Sequence, residues 1–272
     1  MPYLARILIY PVKSLEGVSV PEAVVLPGGA LEHDRRFSLV DASGRVVNGK
    51  RTDRVHAIRA SFDPAARTIA LGLRGHPGGE TFHLDSDRDA LNSWLGDHFG
   101  LPVTVREAPA TGFPDDTDAP GPTVIAAATL EAVADWFGGL DPDDCRGRFR
   151  ANLEVGGVEP FWDDRLYAEA GQAVPFRVGG VVFEGLNPCR RCVVPARSPT
   201  SGEPTRGFQT RFGDLRRQTL PPWAAVSRFD HFYRLAVNTR RPALAAGPGI
   251  VRVGDEVEIL GPPTNQPDPY PV

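Results

Sequence analysis

Short β-branched and apolar runs, each cut off by proline or glycine, fill the first third of the chain and leave little room for long helices. Residues 4–10 read as a strand stopped by Pro11, and residues 18–26 as a second strand ended by Pro27-Gly28-Gly29. Residues 36–40 and 45–47 read as a hairpin around the turn Asp41-Ala42-Ser43-Gly44. Residues 57–62 and 68–73 continue the pattern. The first convincing helix covers 86–99, with Ser86 as cap, Leu91, Trp94 and Leu95 on one face and Gly100 as stop. A Pro-, Asp- and Gly-rich loop at 108–122 is the best candidate boundary. Thr129 then caps a helix to Phe137, with Leu130, Val133 and Phe137 on one side. Strands resume at 151–155, 175–178, 181–183, 235–238, 250–253 and 256–260. Many short strands with few helices make this a β-rich α+β chain containing a barrel.

Composition excludes several function classes. The net charge of −4, with acids and bases interspersed, does not suit a general nucleic-acid binder. No apolar run approaches the ~20 residues that cross a bilayer, and the start lacks the pattern of a secretory signal. Three cysteines, Cys145, Cys189 and Cys192, are too few for a disulfide framework and fit a reducing compartment. The expected location is cytoplasmic, with neither nucleic acid nor membrane as partner.

Standard catalytic signatures are missing: there is no phosphate loop, nucleophile elbow or zinc helix. The six histidines, His33, His56, His76, His83, His98 and His231, show no ligand spacing. The strongest local feature is Cys189-x-x-Cys192. Its spacing suits half of a zinc site, though no second pair exists to complete four ligands. It also suits a thioredoxin-like dithiol, though Val193-Val194-Pro195 reads as extended where that motif needs a helix. Two unreactive thiols in a turn are the bland alternative. The remaining reading is a single thiolate on a soft, redox-active metal. Arg190 and Arg191 favour thiolate over thiol, and a strand leading into Pro188 gives a rigid support. Separately, Lys13-Ser14, Arg35-Arg36, and Arg148 with Arg150 ahead of Asn152 form a dispersed basic set able to neutralise a phosphate or carboxylate.

Five segments in order carry a resemblance. They are Tyr10-Pro11-Val12-Lys13-Ser14, Asp34-Arg35-Arg36-Phe37-Ser38-Leu39-Val40, Arg148-Phe149-Arg150-Ala151-Asn152-Leu153, Pro188-Cys189-Arg190-Arg191-Cys192 and Val251-Arg252-Val253-Gly254-Asp255. Together they resemble the MOSC family, specifically its two-part members. The resemblance implies an N-terminal β-barrel region at 1–110, a MOSC β-barrel domain with a few helices at 111–262, and a flexible Pro-rich tail at 263–272.

It also implies a molybdenum cofactor (Mo-molybdopterin). By that similarity Cys192 is the metal ligand and catalytic centre. Lys13, Ser14, Arg36 and Arg150 hold the pterin and its phosphate, Asn152 shares the cofactor contact, and Arg190 and Arg191 border it. Family members of the amidoxime-reducing type reduce N-hydroxylated compounds, so the expectation is a molybdenum-dependent oxidoreductase acting on N–OH or N-oxide small molecules. Electrons would come from a separate protein of ferredoxin or flavoprotein reductase type. No general acid is evident: Asp163 and Asp164 resemble an acidic stretch of the family and could stand behind the site, but read first as surface residues. The chain departs from the family's reductases at Ala119, Pro120, Pro195, Ala196, Ser198 and Leu235. Two rivals remain: a non-catalytic sulfur or cofactor carrier with Cys192 as acceptor, and a phosphate-binding or hydrolytic barrel with structural cysteines.

Overall fold

A computed structural model describes residues 1–243 and 247–265. Its largest sheet has nine strands. β1 (Tyr3–Ile9) lies between β2 (Val18–Val20) and β10 (Leu153–Gly156), antiparallel to both. β10 runs parallel to β9 (Val124–Ala126), the one parallel pair of the sheet. β13 (Arg234–Arg240), β12 (Val181–Arg190), β11 (Gln172–Val178) and β15 (Val257–Ile259) extend it antiparallel. The remaining three sheets are smaller. β3 (Glu22–Val25) pairs with β14 (Gly249–Arg252), so the two ends of the chain meet there. β4 (Phe37–Asp41) pairs with β8 (Val103–Glu107). β5 (Ile58–Asp63), β6 (Thr68–Leu73) and β7 (Glu80–His83) form a meander. Four α-helices complete the β-rich fold: α1 (Arg88–Phe99), α2 (Ala127–Asp135), α3 (Pro142–Phe149) and α4 (Phe208–Gln218).

Local chemistry explains where the elements differ from expectation. The run at 18–26 is two strands, because Pro21 lacks the N–H that continuous pairing needs. The turn at Asp41 forms, its carboxylate accepting from the Ser43 and Arg45 N–H groups. Its second arm is only a bridge from Val40 to Val46, however, because β4 takes β8 as its long partner. α1 starts after Asp87, and Ser86 spends its hydroxyl on the Asp87 carboxylate. Gly100 ends it in the left-handed conformation, as the sequence predicts. Thr129 is no cap: it sits buried inside α2. Of the tail expected at 263–272, Thr264–Asn265 form β16 beside β11, and 266–272 lie outside the described residues. Among the described residues no helix is long and apolar enough to cross a membrane.

Three apolar cores hold these elements. One lies on the large sheet around Leu4, Ile7, Phe176 and Phe183. A second packs α1 against β4, β5, β6 and β8 through Phe37, Leu39, Ile58, Leu91 and Leu95. The third gathers α2, α3 and α4 around Phe149, Phe208 and Phe212, and includes Cys189.

The expected surface acids are inside. Asp163 and Asp164 are 1 % and 2 % exposed. Asp163 Oδ1 accepts from the Ala126 N–H at 3.1 Å and from Thr129 Oγ1 at 2.8 Å. Asp164 pairs with the fully buried Arg216 at 2.5 Å, whose guanidinium lies over the Phe161 and Phe229 rings. An apolar flank, Pro160-Phe161-Trp162, draws the acids inward, and Arg216 arrives from 52 residues away to compensate. Burial, reinforced by the Asp164 charge, pushes Asp163 up to about 6 from 3.8. Between those values the folded state keeps a proton that the unfolded chain has lost, so this group's contribution makes stability fall as pH rises. Urea unfolding should therefore show wild type losing stability relative to Asp163→Asn from about pH 4 to about pH 6.5.

Candidate functional site

A cavity of about 1450 Å³ opens where the second and third cores meet, lined by Leu15, Val55 and Ile58 from one and Phe149 and Cys189 from the other. Lys13, Ser14, Arg150, Asn152, Arg190, Arg191 and Cys192 all line it, so it gathers residues spread from position 13 to 192. Arg36 does not. Its Nε donates to Glu107 at 2.7 Å, in a cluster with Arg67 and Arg88 away from the cavity. Arg35 occupies the cavity wall instead. The reason is local: Arg35 has φ 48°, and this left-handed step just before β4 sends the two side chains different ways.

Left-handed backbone at non-glycine residues is costly, on the order of 1–3 kcal/mol each, and clusters at functional sites. Ser14 (φ 79°), Arg35 and Arg150 (φ 52°) all adopt it on the cavity wall. Arg150 ends α3, a position that favours glycine. From there its Nη2 donates to the Leu15 carbonyl at 2.6 Å and its guanidinium lies 4.1 Å from the Tyr10 ring. Arg35 also lies over that ring, at 5.4 Å. Burial opposes the charge of Arg35, but Asp34 and Asp115 more than offset it and raise its pKa. For Arg150 burial wins and the pKa is lowered. Tyr10, buried beneath them, is pushed up to about 12 by desolvation despite both arginines.

Asn152 is 1 % exposed, and its hydrogen bonds hold the wall rather than reaching freely into the cavity. Its Nδ2 donates to the Leu8 carbonyl at 3.0 Å, and its Oδ1 accepts from Thr123 and Arg35. Lys13 Nζ donates to the Phe113 and Pro114 carbonyls at 3.0 and 3.2 Å and pairs with Asp115 at 2.8 Å. The loop expected as a boundary thus contributes wall residues.

The two sulfurs of the Cys189-x-x-Cys192 loop differ in kind. Cys189 ends near the foot of β12, 5 % exposed, and its Sγ donates to Asn238 Oδ1 at 2.7 Å. Burial pushes its thiol up to about 11, with Arg191 pulling the other way. Cys192 is half-buried in the cavity wall. The segment after it is a 3-10 turn, Val194–Ala196, where an extended run was expected. Arg148 fixes that turn from beneath, donating to the Pro195 and Arg197 carbonyls at 2.9 and 2.7 Å. Arg191 fixes the loop from the other side: Nε donates to the Leu235 carbonyl at 2.9 Å and Nη1 to the Phe149 carbonyl at 3.0 Å. Arg190, 65 % exposed, pairs with Asp230 on the cavity wall. Cys145 is wholly buried, and burial pushes its thiol up to about 12. Among the described residues no group of three or more His, Cys, Asp and Glu side chains is placed to hold a metal ion.

Models of two domains match the chain: the MOSC N-terminal beta barrel domain at residues 1–140 and the MOSC domain at residues 123–258. The chain belongs to the MOSC family. This is a molybdenum-cofactor-binding family. The molybdenum cofactor sulfurase of Oryza sativa subsp. japonica is 26 % identical over 246 residues, covering 74 % of this chain and 29 % of the relative. The molybdenum cofactor sulfurase of Drosophila grimshawi is 25 % identical over 277 residues, covering 90 % and 34 %. Mitochondrial amidoxime-reducing component 1 of Mus musculus is 24 % identical over 307 residues, covering 95 % and 82 %. The chain therefore spans about a third of the sulfurases it matches and most of the amidoxime-reducing component.

The MOSC cavity suits such a cofactor in charge and donor type. Twelve lysines and arginines line it against six aspartates and glutamates, in a chain whose net charge is −4. Arg150 and Arg191 hold their forks on backbone carbonyls rather than carboxylates, which fixes their direction and leaves their charge for an anion. Two thiols, Cys189 and Cys192, line the same space, and Cys192 is the more exposed of them.

The carbonyl that Arg191 grips depends on a strained residue. Between Pro188 and Arg190 on β12 there is one residue, while the facing stretch of β13 holds two, Leu235 and Ala236. Ala236 takes the bulge with φ 63° while 2 % exposed. Ala236→Gly, free of the left-handed Cβ clash, is expected to raise unfolding stability by about 1 kcal/mol, and Ala236→Val to lower it by more. Urea denaturation of the three proteins checks both signs.

Proposed function

We propose that this protein is a molybdenum-cofactor-dependent oxidoreductase that reduces N-hydroxylated small molecules, N–OH or N-oxide, with Cys192 as the protein's ligand to the metal. The observation that carries this reading is the split between the two sulfurs. Both line a cation-rich cavity large enough for a pterin and a substrate, but Cys189 is buried and committed to Asn238, whereas Cys192 is half-buried and the more exposed of the two. Coverage adds support: the match takes in 82 % of the amidoxime-reducing component but about a third of each sulfurase.

Lys13, Arg35, Arg150 and Arg191 would hold the pterin and its phosphate, with Ser14 beside them and Asn152 keeping Arg35 in place. When bound, the cofactor supplies the two-electron redox centre. The chain's own work is to fix that group by charge and to present one thiolate from a loop clamped by Arg148 and Arg191. It also leaves room beside the thiolate for the N–OH group. Electrons would come from a separate ferredoxin or flavoprotein reductase, in the cytoplasm. The second reading, a sulfur or cofactor carrier with Cys192 as acceptor, draws on the sulfurase matches, which cover 74 % and 90 % of this chain.

Protein made in a host with intact cofactor synthesis tests both. Molybdenum and pterin should co-purify in equimolar amount with wild type and with Cys189→Ala, and vanish from Cys192→Ala. Well-folded wild type that never carries molybdenum would sink the proposal. Loaded protein that turns over no hydroxylamine, amidoxime or N-oxide with a chemical reductant favours the carrier.

Arg35 and Arg36 give a finer prediction. Arg35→Met should weaken cofactor retention by roughly tenfold, the worth of one charge-assisted contact, while Arg36→Met should leave it unchanged. Metal content after dialysis against chelator-free buffer reads the difference.

A further inference from the structure

Beyond the cations that would hold the cofactor, the cavity wall carries a second basic group: Arg190, Arg228 and Arg234. Arg190 ends β12 and faces Arg234 across the ladder, where β13 begins. Arg228 ends the 3-10 turn Val226–Arg228, just ahead of β13. Arg228 and Arg234 rest on neighbouring supports. Nη2 of Arg228 donates to the Leu186 carbonyl and Nη1 of Arg234 to the Pro188 carbonyl, both at 3.1 Å and two residues apart on β12. Burial lowers the pKa of Arg228, and the charge of Arg234 lowers it further.

Anions are scarce around them. Asp230, the one acid of this group on the wall, is shared by Arg190 at 2.5 Å and Arg234 at 2.6 Å, and His231 stands beside it at 3.6 Å. Glu169 acts on Arg228 from outside the wall, but it already accepts from the Ser227 hydroxyl. Among the described residues Arg228 enters no ion pair, and its Nε and Nη1 have no hydrogen-bond partner. Three guanidiniums on one carboxylate leave a net positive charge in a partly buried place, which is costly unless a further anion joins them. Consecutive residues of the cysteine loop reach both basic groups of the cavity. Arg191 spends its fork on the Leu235 and Phe149 carbonyls, next to Arg150, while Arg190 turns to Asp230 and Arg234. Cys192 follows directly.

We propose that Arg228 and Arg234, with Arg190 at the more exposed end, take a carboxylate on the substrate. The preferred substrates are then N-hydroxylated compounds that also carry a carboxylate. This rests on the reductase reading and narrows its substrate class. Arg228 has donors to spare, and a carboxylate is the planar anion that guanidinium forks suit. Arg234, with its side chain 11 % exposed, lies too deep for the surface of an acidic protein, which favours a small anion. The carboxylate fixes one end of the substrate and leaves its N–OH group in the cavity that Cys192 lines.

Molybdenum-loaded, oxidised wild type is titrated by calorimetry with benzamidoxime and with its meta- and para-carboxylated forms. At least one carboxylated form should bind roughly tenfold more tightly than the uncharged parent, the worth of one charge-assisted contact. Arg228→Met should cut that preference to within about twofold, and Arg228→Lys should keep part of it. Arg217→Met, at an exposed arginine outside the cavity wall, should keep it whole. Turnover with a chemical reductant should show the same pattern in KM, with kcat for the carboxylated compound within about twofold. Equal binding of the parent and both carboxylated forms to wild type overturns the proposal. So does a loss of molybdenum from Arg228→Met, which would give the arginine to the cofactor. So too does an Arg228→Met protein that slows with an acidic ferredoxin as donor but not with the chemical reductant, which would give it to a protein partner. The reductase reading fails separately: a carboxylate preference in binding, with no reduction of any of these compounds, supports the anion site and removes the reaction.

Discussion

Arg191 joins three elements that otherwise end in loops. Its guanidinium grips the Leu235 carbonyl of β13 and the Phe149 carbonyl at the end of α3, and its own N–H donates to the Tyr233 carbonyl. The next residue is Cys192. A thiol can serve as a metal ligand only if its backbone stays in place when the ligand arrives, and a planar fork on fixed carbonyls gives that rigidity. The clamp needs Leu235 turned toward it, which needs the bulge at Ala236, which needs a buried residue in a left-handed conformation. Local strain at one alanine is thus tied to the position of one sulfur.

The same logic explains why the cavity is positive in a negative protein. Cations paired with carboxylates contribute little net field. Arg150 and Arg191 contribute theirs whole, because carbonyls orient a guanidinium without cancelling its charge. Tyr10 helps at Arg150 and Arg35 by offering a ring face rather than an anion. Burial weakens the hold of Arg150 on its proton but does not discharge it, since an arginine stays protonated in proteins.

Much of this was legible in the chain. Punctuated apolar runs located β1, β5, β6, β11 and β13 to within a few residues, since each strand carries its own pattern and stop. The Cys189–Cys192 loop and the basic set stood out because thiols and arginine pairs are chemically conspicuous. What stayed hidden depended on distant partners or on backbone angles. β4 was given a local hairpin partner but takes β8, more than sixty residues on. Arg36 and Arg35 are neighbours of the same type, and which one reaches the cavity depends on backbone direction and on partners far along the chain, Glu107 for Arg36 and Asn152 for Arg35. Asp163 and Asp164 looked like surface acids because their cation, Arg216, lies on a helix that the sequence pattern did not reveal.

The loop at 108–122 shows that a segment with the composition of a boundary can also build a site. Proline, aspartate and glycine mark a segment without regular structure, and that is also what a domain boundary looks like. Here the segment folds back over the cavity, held by Lys13 on its Phe113 and Pro114 carbonyls and by Asn238 on Asp116. A loop so held brings two adjacent carboxylates to the site with unlike partners. Asp115 is neutralised by Lys13, and its immediate neighbour Asp116 is left to a neutral amide. Adjacent acids with unlike partners fasten the loop at two points: Asp115 to the charge of Lys13 at the start of the chain, and Asp116 through Asn238 to the strand that faces the cysteine loop.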